Sequence, residues 1–154
     1  MDGLQLKKLI ETDPYMSKML RGILNVKEIE KISTQRHSYA RAYIVYANHH
    51  WLLLVFYPSW TILYMDPLGE KPATYSAHFA NWLKSLRWRV GNNLVQIQPK
   101  GSDKCGLYIL YFMYYLSRGY KFEKIMQKFH RTNLSLNDKL VSSFVFKKFN
   151  FEIK

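Results

Sequence analysis

The sequence predicts an α+β domain in which helices flank a central mixed β-sheet and a lone cysteine begins a buried central helix. Two apolar runs, 52–57 and 61–65, are joined by a short Pro-Ser-Trp linker, which is typical of a β-hairpin. The run 107–116 is apolar almost throughout and indicates a helix buried in the middle of the domain. Strands that alternate with helices favour one layered fold, and 154 residues suit a single domain over 1–154.

The segments before the hairpin are less regular. The spacing of leucine and isoleucine predicts a short amphipathic helix over 4–11 that ends before Pro14. Gly22 is expected at a turn, and the polar stretch 27–32 fits either a strand or a loop. Residues 39–46 are rich in Tyr, Ile, Val and Ala, so they predict the first clear strand of the sheet.

The segments after the hairpin alternate between helix and strand. Aromatic and leucine residues on a helical period predict a core helix over 74–90, and Gly91 breaks it. A strand at 94–97 would then lead into Gln98. This order places a polar loop directly before the buried helix.

Two more helices are predicted at the C-terminal end. Gly119 provides a C-cap for the buried helix. A basic amphipathic helix is expected over 122–129, and a final helix over 135–149 with Ser135 and Asp138 as its capping pair.

Cys105 is the single cysteine, and it lies where the polar loop meets the buried helix. A helix N-terminus favours negative charge, so a thiolate is stabilised there. His50 lies just before the first hairpin run and Asp66 just after the second, so antiparallel pairing would bring their side chains together. Thiol, imidazole and carboxylate are the nucleophile, base and orienting group of thiol catalysis. The alternative is that Cys105 is a small buried apolar residue.

The neighbouring His49 competes with His50 for the role of base. Side chains alternate across a strand, so only one of the two can face the cysteine, and alternation alone does not choose between them. A metal site is not expected, because one cysteine and scattered histidines lack the spacing of zinc ligands.

Four separated motifs follow one another along the chain. They are His50-Trp51, the Asp-Pro-Leu-Gly sequence at 66–69, Gln98, and Cys105-Gly106 seven positions after the glutamine. This pattern resembles the adenain family of adenovirus-type cysteine proteases, in the clan that includes the SUMO-specific proteases. The resemblance implies that His50, Asp66 and Cys105 form the triad and that Gln98 completes the oxyanion hole. It selects His50 over His49, because the family has a tryptophan after the catalytic histidine. Trp51 is expected either to shape the substrate cleft or to be a core aromatic residue on its strand.

Two features depart from the adenain pattern. Residue 66 is aspartate where adenain has glutamate, and aspartate is commoner in the SUMO-protease branch. The chain also has one cysteine, so an activating peptide of the kind known in the adenovirus family would have to bind without a disulfide. The sequence requires no cofactor, and DNA and such a peptide are the candidate activators.

The chain is strongly basic, with 23 Lys plus Arg against 11 Asp plus Glu and a formal net charge of +12. Such a charge favours polyanionic partners, because each neutralised phosphate releases counterions, and DNA is the natural candidate. Lys121, Lys124, Lys128 and Arg131 recur at helical spacing and are expected to bind DNA from one helix face. A solvated basic surface without a partner is the alternative.

Three functions fit these patterns. The first is a viral maturation endopeptidase that cleaves precursor polypeptides inside a DNA-containing particle. The second is a deubiquitinase or SUMO-type isopeptidase of the same clan, and the third is a non-catalytic basic DNA-binding module. No apolar run is long enough to span a bilayer and no signal-peptide core follows Met1. We therefore expect an intracellular protein without a membrane partner, and we expect it to be a monomer. The resemblance to the adenain family implies a location in the virion and the host nucleus.

Overall fold

The computed structural model describes residues 1–92 and 94–153, with the backbone alone for Asn92. These residues form two compact units. The helical unit comprises Met1–Lys18 and the chain from Gln96 onward, and the sheet unit comprises Met19–Val95. The assignment of a single catalytic domain over 1–154 stays a prediction.

The predicted α+β class is confirmed, because helices and strands both recur along the chain. In chain order they are α1 (Gly3–Glu11), α2 (Pro14–Met19), β1 (Leu20–Asn25), β2 (Arg41–Ala47), β3 (His50–Tyr57), β4 (Thr61–Met65), α3 (Pro72–Tyr75), α4 (Ala77–Ser85), β5 (Arg89–Asn92), α5 (Cys105–Leu116), α6 (Phe122–Met126) and α7 (Ser135–Phe149). A 3-10 helix at Val26–Lys31 lies between β1 and β2.

The strands of the described chain form one mixed sheet in the order β1-β2-β3-β4-β5. The central strand β3 pairs antiparallel with both β2 and β4, which confirms the predicted hairpin. The edge strands pair in parallel, β1 with β2 and β5 with β4. Asn48 and His49 form the two-residue turn between β2 and β3, and both have the positive φ that tight hairpin turns favour.

The core of the sheet unit is a buried apolar cluster contributed by the sheet and by the elements that pack on it. Val45 of β2 and Leu54 of β3 belong to this cluster, together with Ile29 of the 3-10 helix and Phe79 of α4. Burying a side chain of this size contributes about 1.5–3 kcal/mol to stability. The cluster therefore holds β3, which carries His50, in a rigid sheet.

Two predictions for the N-terminal part of the sheet unit are wrong. Gly22 lies inside β1 rather than at a turn, and the segment 27–32 is largely the 3-10 helix. The strand predicted over 39–46 is confirmed as β2, although β1 precedes it. The pairing of β1 with β2 shifts register between Leu20 and Gly22, and glycine accommodates such an irregularity. Local composition did not reveal β1 because its partner strand is distant in sequence.

The prediction of one helix over 74–90 is also wrong. Ser76 is extended, with φ −166°, and it separates α3 from α4. Its hydroxyl accepts a hydrogen bond from the backbone N–H of Phe79, so the serine caps α4. The apolar period of 74–90 continues on both sides of Ser76, so the sequence did not reveal the break.

The strand predicted at 94–97 is wrong, because these described residues belong to no strand and β5 precedes them. Arg87 has a φ of 60° and reverses the chain after α4. The backbone N–H of Arg89 then donates to the carbonyl of Trp60, 3.0 Å away, where β5 begins to pair with β4. Hydrophobic periodicity describes local structure, so it does not predict a strand such as β5 that depends on pairing with a segment distant in sequence.

The helical unit is built around α5, which is buried on nearly every face as predicted. Phe112 stacks parallel to Phe129 with ring centroids 5.5 Å apart, and Tyr111 meets Phe144 of α7 edge-on at 4.9 Å. Gly119 has a φ of 87° and ends the helix in the left-handed conformation, which confirms the predicted C-cap.

The basic helix is shorter than predicted. α6 ends at Met126 instead of continuing to residue 129, so Lys128 and Arg131 lie beyond it. The prediction that Lys121, Lys124, Lys128 and Arg131 share one helix face is therefore wrong. The helical spacing continues in the sequence after the helix itself has ended.

The last helix, α7, has its predicted bounds but not its predicted cap. The Ser135 hydroxyl donates to the side chain of Asn133, and Asp138 accepts a hydrogen bond of 2.8 Å from the Tyr108 hydroxyl on α5. Neither side chain caps α7. Burial of Tyr108 and its bond to Asp138 raise the pKa of Tyr108, so its hydroxyl remains a donor.

The helix predicted over 4–11 is confirmed as α1. Asp2 caps it by accepting a hydrogen bond from the backbone N–H of Gln5, 2.8 Å away. Pro14 begins α2, at the first helical position that proline favours. None of the helices in the described residues combines the length and the apolar character needed to cross a membrane.

Candidate active site

The sheet unit brings His50 and Asp66 together. His50 is the first residue of β3, and Asp66 directly follows β4, its antiparallel neighbour. The ring Nε2 of His50 lies 2.5 Å from Oδ1 of Asp66. Both are buried, with exposed fractions of 6% and 3%. The predicted proximity of the two side chains is confirmed, and their catalytic roles stay predictions.

Asp66 is held at both carboxylate oxygens. Besides His50, the backbone N–H of Leu68 donates to Oδ1, and the backbone N–H of Glu70 donates to Oδ2, each at 3.0 Å. Gly69, with a φ of 73°, lets the chain turn tightly enough to present these donors. Donors at both oxygens match the acceptor capacity of an ionised carboxylate and fix the direction in which it faces His50.

Tyr75 completes this arrangement, and the sequence did not identify it. Its hydroxyl donates to Oδ2 of Asp66 at 2.5 Å, and its ring stacks on the His50 ring with centroids 5.7 Å apart. Burial, followed by the bond to Asp66, raises the pKa of Tyr75 far above its ordinary value, so the hydroxyl stays protonated. In the sequence Tyr75 is one more aromatic residue on an apolar period, which predicts core packing and nothing further.

Tyr75→Phe is expected to lower the free energy of unfolding by about 1.5–3 kcal/mol, because a buried carboxylate loses one donor while the ring stack is kept. Urea unfolding followed by circular dichroism measures the change. Tyr39→Phe is the matched control: Tyr39 is largely exposed and its ring contacts Arg21, so this change should cost less than about 0.5 kcal/mol. Equal stability of the two variants would contradict the prediction.

His49 and Trp51, which flank His50 in the sequence, both contact Tyr46. His49 is in the turn before β3, exposed, with Nδ1 3.2 Å from the Tyr46 hydroxyl. The argument that it alternates with His50 along one strand is therefore wrong. Trp51 is buried and packs on the Tyr46 ring at 4.7 Å. Its role in substrate binding stays a prediction.

The helical unit places Cys105 at the predicted junction. Cys105 is the first residue of α5 and is 9% exposed. The preceding loop is tight: Gly101 has a φ of 79°, Ser102 N–H donates to the Pro99 carbonyl, and Lys104 N–H donates to the Ser102 hydroxyl. These local bonds fix the chain just before the cysteine.

Gln98 lies at the other end of the same loop and is 1% exposed. Its Nε2 donates to the Ser102 carbonyl at 3.0 Å, whereas its Oε1 accepts no hydrogen bond from the described residues. The carbonyl of Ile97 accepts a hydrogen bond of 2.8 Å from the side chain of Asn137 on α7, and the Tyr108 hydroxyl, whose proton goes to Asp138, lies 3.4 Å from the same carbonyl. Asn137 therefore anchors the segment that carries Gln98.

No protein-family model matches the chain, and no curated protein matches it.

The structure pairs His50 with Asp66 in the sheet unit, and it holds Gln98 and Cys105 at the two ends of one loop in the helical unit. Within residues 1–92 and 94–153, no group of three or more His, Cys, Asp or Glu side chains is placed to hold a metal ion.

The four basic residues assigned to DNA divide into two groups. Lys121, Lys124 and Lys128 are exposed and line one pocket of the helical unit. Arg131 is exposed as well, but it is not part of that pocket. A role in DNA binding stays a prediction for all four.

Proposed function

We propose that the chain is a cysteine endopeptidase with an adenain-like fold, which cleaves viral precursor polypeptides during particle maturation. The observation that carries the proposal is the buried hydrogen bond of 2.5 Å between His50 and Asp66. A buried imidazole fixed by a carboxylate is the arrangement of a general base and its orienting group. In a core built for packing alone, burying such a polar pair would cost free energy without a return in stability.

The nucleophile of the proposed reaction is the thiolate of Cys105. The backbone N–H groups at the start of α5 favour negative charge at this position. In the proposed tautomer, Nε2–H of His50 donates its hydrogen bond to Asp66, so Nδ1 is the nitrogen that takes the thiol proton. Asp66 then stabilises the imidazolium that results.

The thiolate attacks the carbonyl carbon of the scissile peptide bond. Gln98 has two amide N–H bonds, of which the Ser102 carbonyl takes one, and the other donates to the developing oxyanion. One such donor is worth about 3 kcal/mol in the transition state. His50 protonates the leaving amine, and water then hydrolyses the thioester, which releases the acid product and restores the thiol.

DNA is the proposed second partner. The net charge of +12 favours a polyanion, and the exposed lysines of the helical unit offer phosphate contacts. A protease that acts in the virion and the host nucleus would meet its precursors on the genome. In this proposal the protein is a monomer that needs no metal, and an activating peptide would bind without a disulfide, because Cys105 is the single cysteine.

A deubiquitinase or SUMO-type isopeptidase is the second candidate. It is favoured by one observation, the aspartate at position 66, which the resemblance associates with that branch of the clan. The triad chemistry would be the same, and the substrate would differ. The non-catalytic DNA-binding module would keep the basic surface and lack any reaction at Cys105.

A peptide library derived from a proteome, cut by the purified protein with and without DNA and mapped by mass spectrometry, tests the proposal. We expect internal cuts that disappear when the thiol is alkylated. A parallel panel of ubiquitin-like fusions with C-terminal reporters separates the candidates, since cleavage of the panel alone would favour the isopeptidase. Absence of all cleavage, together with no labelling of Cys105 by a thiol-directed peptide electrophile, would leave the non-catalytic module.

A further inference from the structure

The helical unit contains a pocket of about 540 Å³ at the junction of α5 and α6. This volume lies within the range of sites that bind small molecules or single chemical groups. Tyr111, Tyr115 and Tyr120 form its aromatic wall, and Lys121, Lys124 and Lys128 contribute three ammonium groups. Ile125 and Gln127 complete the lining.

The end of α5 creates the aromatic wall. Gly119 turns the chain back, so that the backbone N–H of Tyr120 donates to the carbonyl of Tyr115 at 3.1 Å. The Tyr115 ring lies next to both neighbours, with centroids 5.0 Å from Tyr111 and 5.1 Å from Tyr120, and it meets the Tyr120 ring edge-on, at 74°. Tyr111 is buried, Tyr115 is half-buried and Tyr120 is 54% exposed, so the wall runs from the interior to the surface.

The charges of the pocket all have one sign. Three lysines line it, and no described Asp or Glu is among the lining residues. Burial and the neighbouring Tyr115 raise the pKa of Tyr111 to about 12, so its phenol is neutral at physiological pH and does not repel an anion. The pocket therefore fits a ligand that carries negative charge beside a flat ring system.

We propose that this pocket binds an unpaired nucleotide of single-stranded DNA, with the base stacked on the exposed ring of Tyr120 and the flanking phosphates on Lys121, Lys124 and Lys128. An aromatic platform beside a row of cations is the usual way in which proteins bind single strands without regard to sequence. A base inside a duplex is stacked on its neighbours and does not present its face to the wall. The exposed amide of Gln127 lies in the lining, where it can contact a base edge.

The inference rests on the DNA partner of the proposed function and does not depend on the proteolytic reaction. An acidic peptide with an aromatic side chain is the other ligand that three lysines and three tyrosines would attract. The phosphates of a single strand recur at a regular spacing on both sides of each base. The lysines likewise occupy three separate positions, at the start of α6, within it and beyond its end, so the nucleic acid is favoured.

Fluorescence anisotropy with a labelled oligothymidylate, and with a labelled duplex of equal length, tests the proposal over a range of salt concentrations. We expect the single strand to bind more tightly than the duplex. Tyr120→Ala should weaken binding of the single strand by about tenfold without changing its salt dependence, and Tyr120→Trp should restore it. Replacing Lys121, Lys124 and Lys128 with glutamine should flatten the slope of log K against log salt by about 2.

Matched variants distinguish the pocket from general attraction to a basic protein. Tyr39→Leu removes a tyrosine of similar exposure, 46%, that does not line the pocket, and it should leave binding unchanged. Replacing Lys8, Lys18 and Lys27 with glutamine removes the same number of charges, three, from exposed positions outside the pocket lining. This variant should change the slope of log K against log salt by less than the replacement of the pocket lysines does.

Three outcomes would overturn the inference. Equal binding of duplex and single strand, with no effect of Tyr120→Ala, would exclude the pocket as the DNA-binding site and would mean that DNA binds elsewhere on the protein. Absence of binding to either probe removes the DNA partner as well, without bearing on proteolysis. Binding of a Glu-Tyr copolymer that is sensitive to Tyr120→Ala, with no binding of the oligothymidylate, would assign the pocket to an acidic peptide.

Discussion

Cys105→Ala is expected to abolish peptide-bond hydrolysis, with a loss in kcat/KM of more than about 10⁴-fold. No other cysteine can replace it as the nucleophile, because the chain has only one. Alanine keeps the helical start of α5 and removes a single buried atom, so the fold should be retained within about 1 kcal/mol. The measurement is hydrolysis of a fluorogenic peptide built on a cleavage site from the library, with circular dichroism to establish folding.

Two histidine variants test the role of the proposed general base. His50→Ala should lower kcat/KM by about 10²- to 10⁴-fold, because the thiol loses its general base. His49→Ala is the matched control next to it, an exposed turn residue that should keep activity within about twofold. Hydrolysis by folded Cys105→Ala, or equal losses in the two histidine variants, would contradict the proposed roles.

The parts of the site that the sequence predicted depend on neighbours close along the chain. The pairing of His50 with Asp66 follows from one hairpin, whose two apolar runs and short linker are visible as composition. The position of Cys105 follows from the change between a polar loop and an apolar helix. In both cases a local pattern determines where the side chain lies.

The parts that the sequence missed depend on distant partners. β1 and β5 are edge strands that pair in parallel with β2 and β4, and neither has a clear strand pattern of its own in the sequence. Tyr75, which donates to Asp66, is the last residue of α3, and Ser76 separates this short helix from α4 where the sequence predicted one continuous helix. The hydrogen bond of the Tyr75 hydroxyl is invisible in an apolar period.

The basic residues show a third limit of prediction from the sequence, which is the point at which a helix ends. The spacing of Lys121, Lys124, Lys128 and Arg131 predicted one helix face, yet α6 ends before the last two. The aromatic wall beside the lysines was missed for a different reason. Tyr111 and Tyr115 belong to the apolar run that predicts a buried helix, and Tyr120 follows the predicted C-cap. In the structure, the turn at Gly119 brings the three rings to one pocket.

Asp66→Asn is expected to damage both stability and catalysis, although it changes a single oxygen into an NH₂ group. Donors face both carboxylate oxygens: His50 and Leu68 at Oδ1, and Glu70 and Tyr75 at Oδ2. Whichever way the amide turns, its NH₂ group opposes a backbone N–H. We therefore expect the free energy of unfolding to fall by about 2–4 kcal/mol, measured by urea unfolding. Glu11→Gln, an exposed control on α1, should cost less than about 0.5 kcal/mol.

The catalytic loss in Asp66→Asn follows from the histidine tautomer. An amide NH₂ facing Nε2 would require that nitrogen to accept, which moves the ring proton to Nδ1 and leaves no base for the thiol. An amide oxygen facing Nε2 keeps the tautomer but no longer stabilises the imidazolium. In either orientation kcat/KM should fall by about 10²- to 10⁴-fold, whereas Asp66→Glu, which keeps the negative charge, should retain more activity. A folded Asp66→Asn protein with full activity would reduce the carboxylate to a structural anchor of the turn after β4.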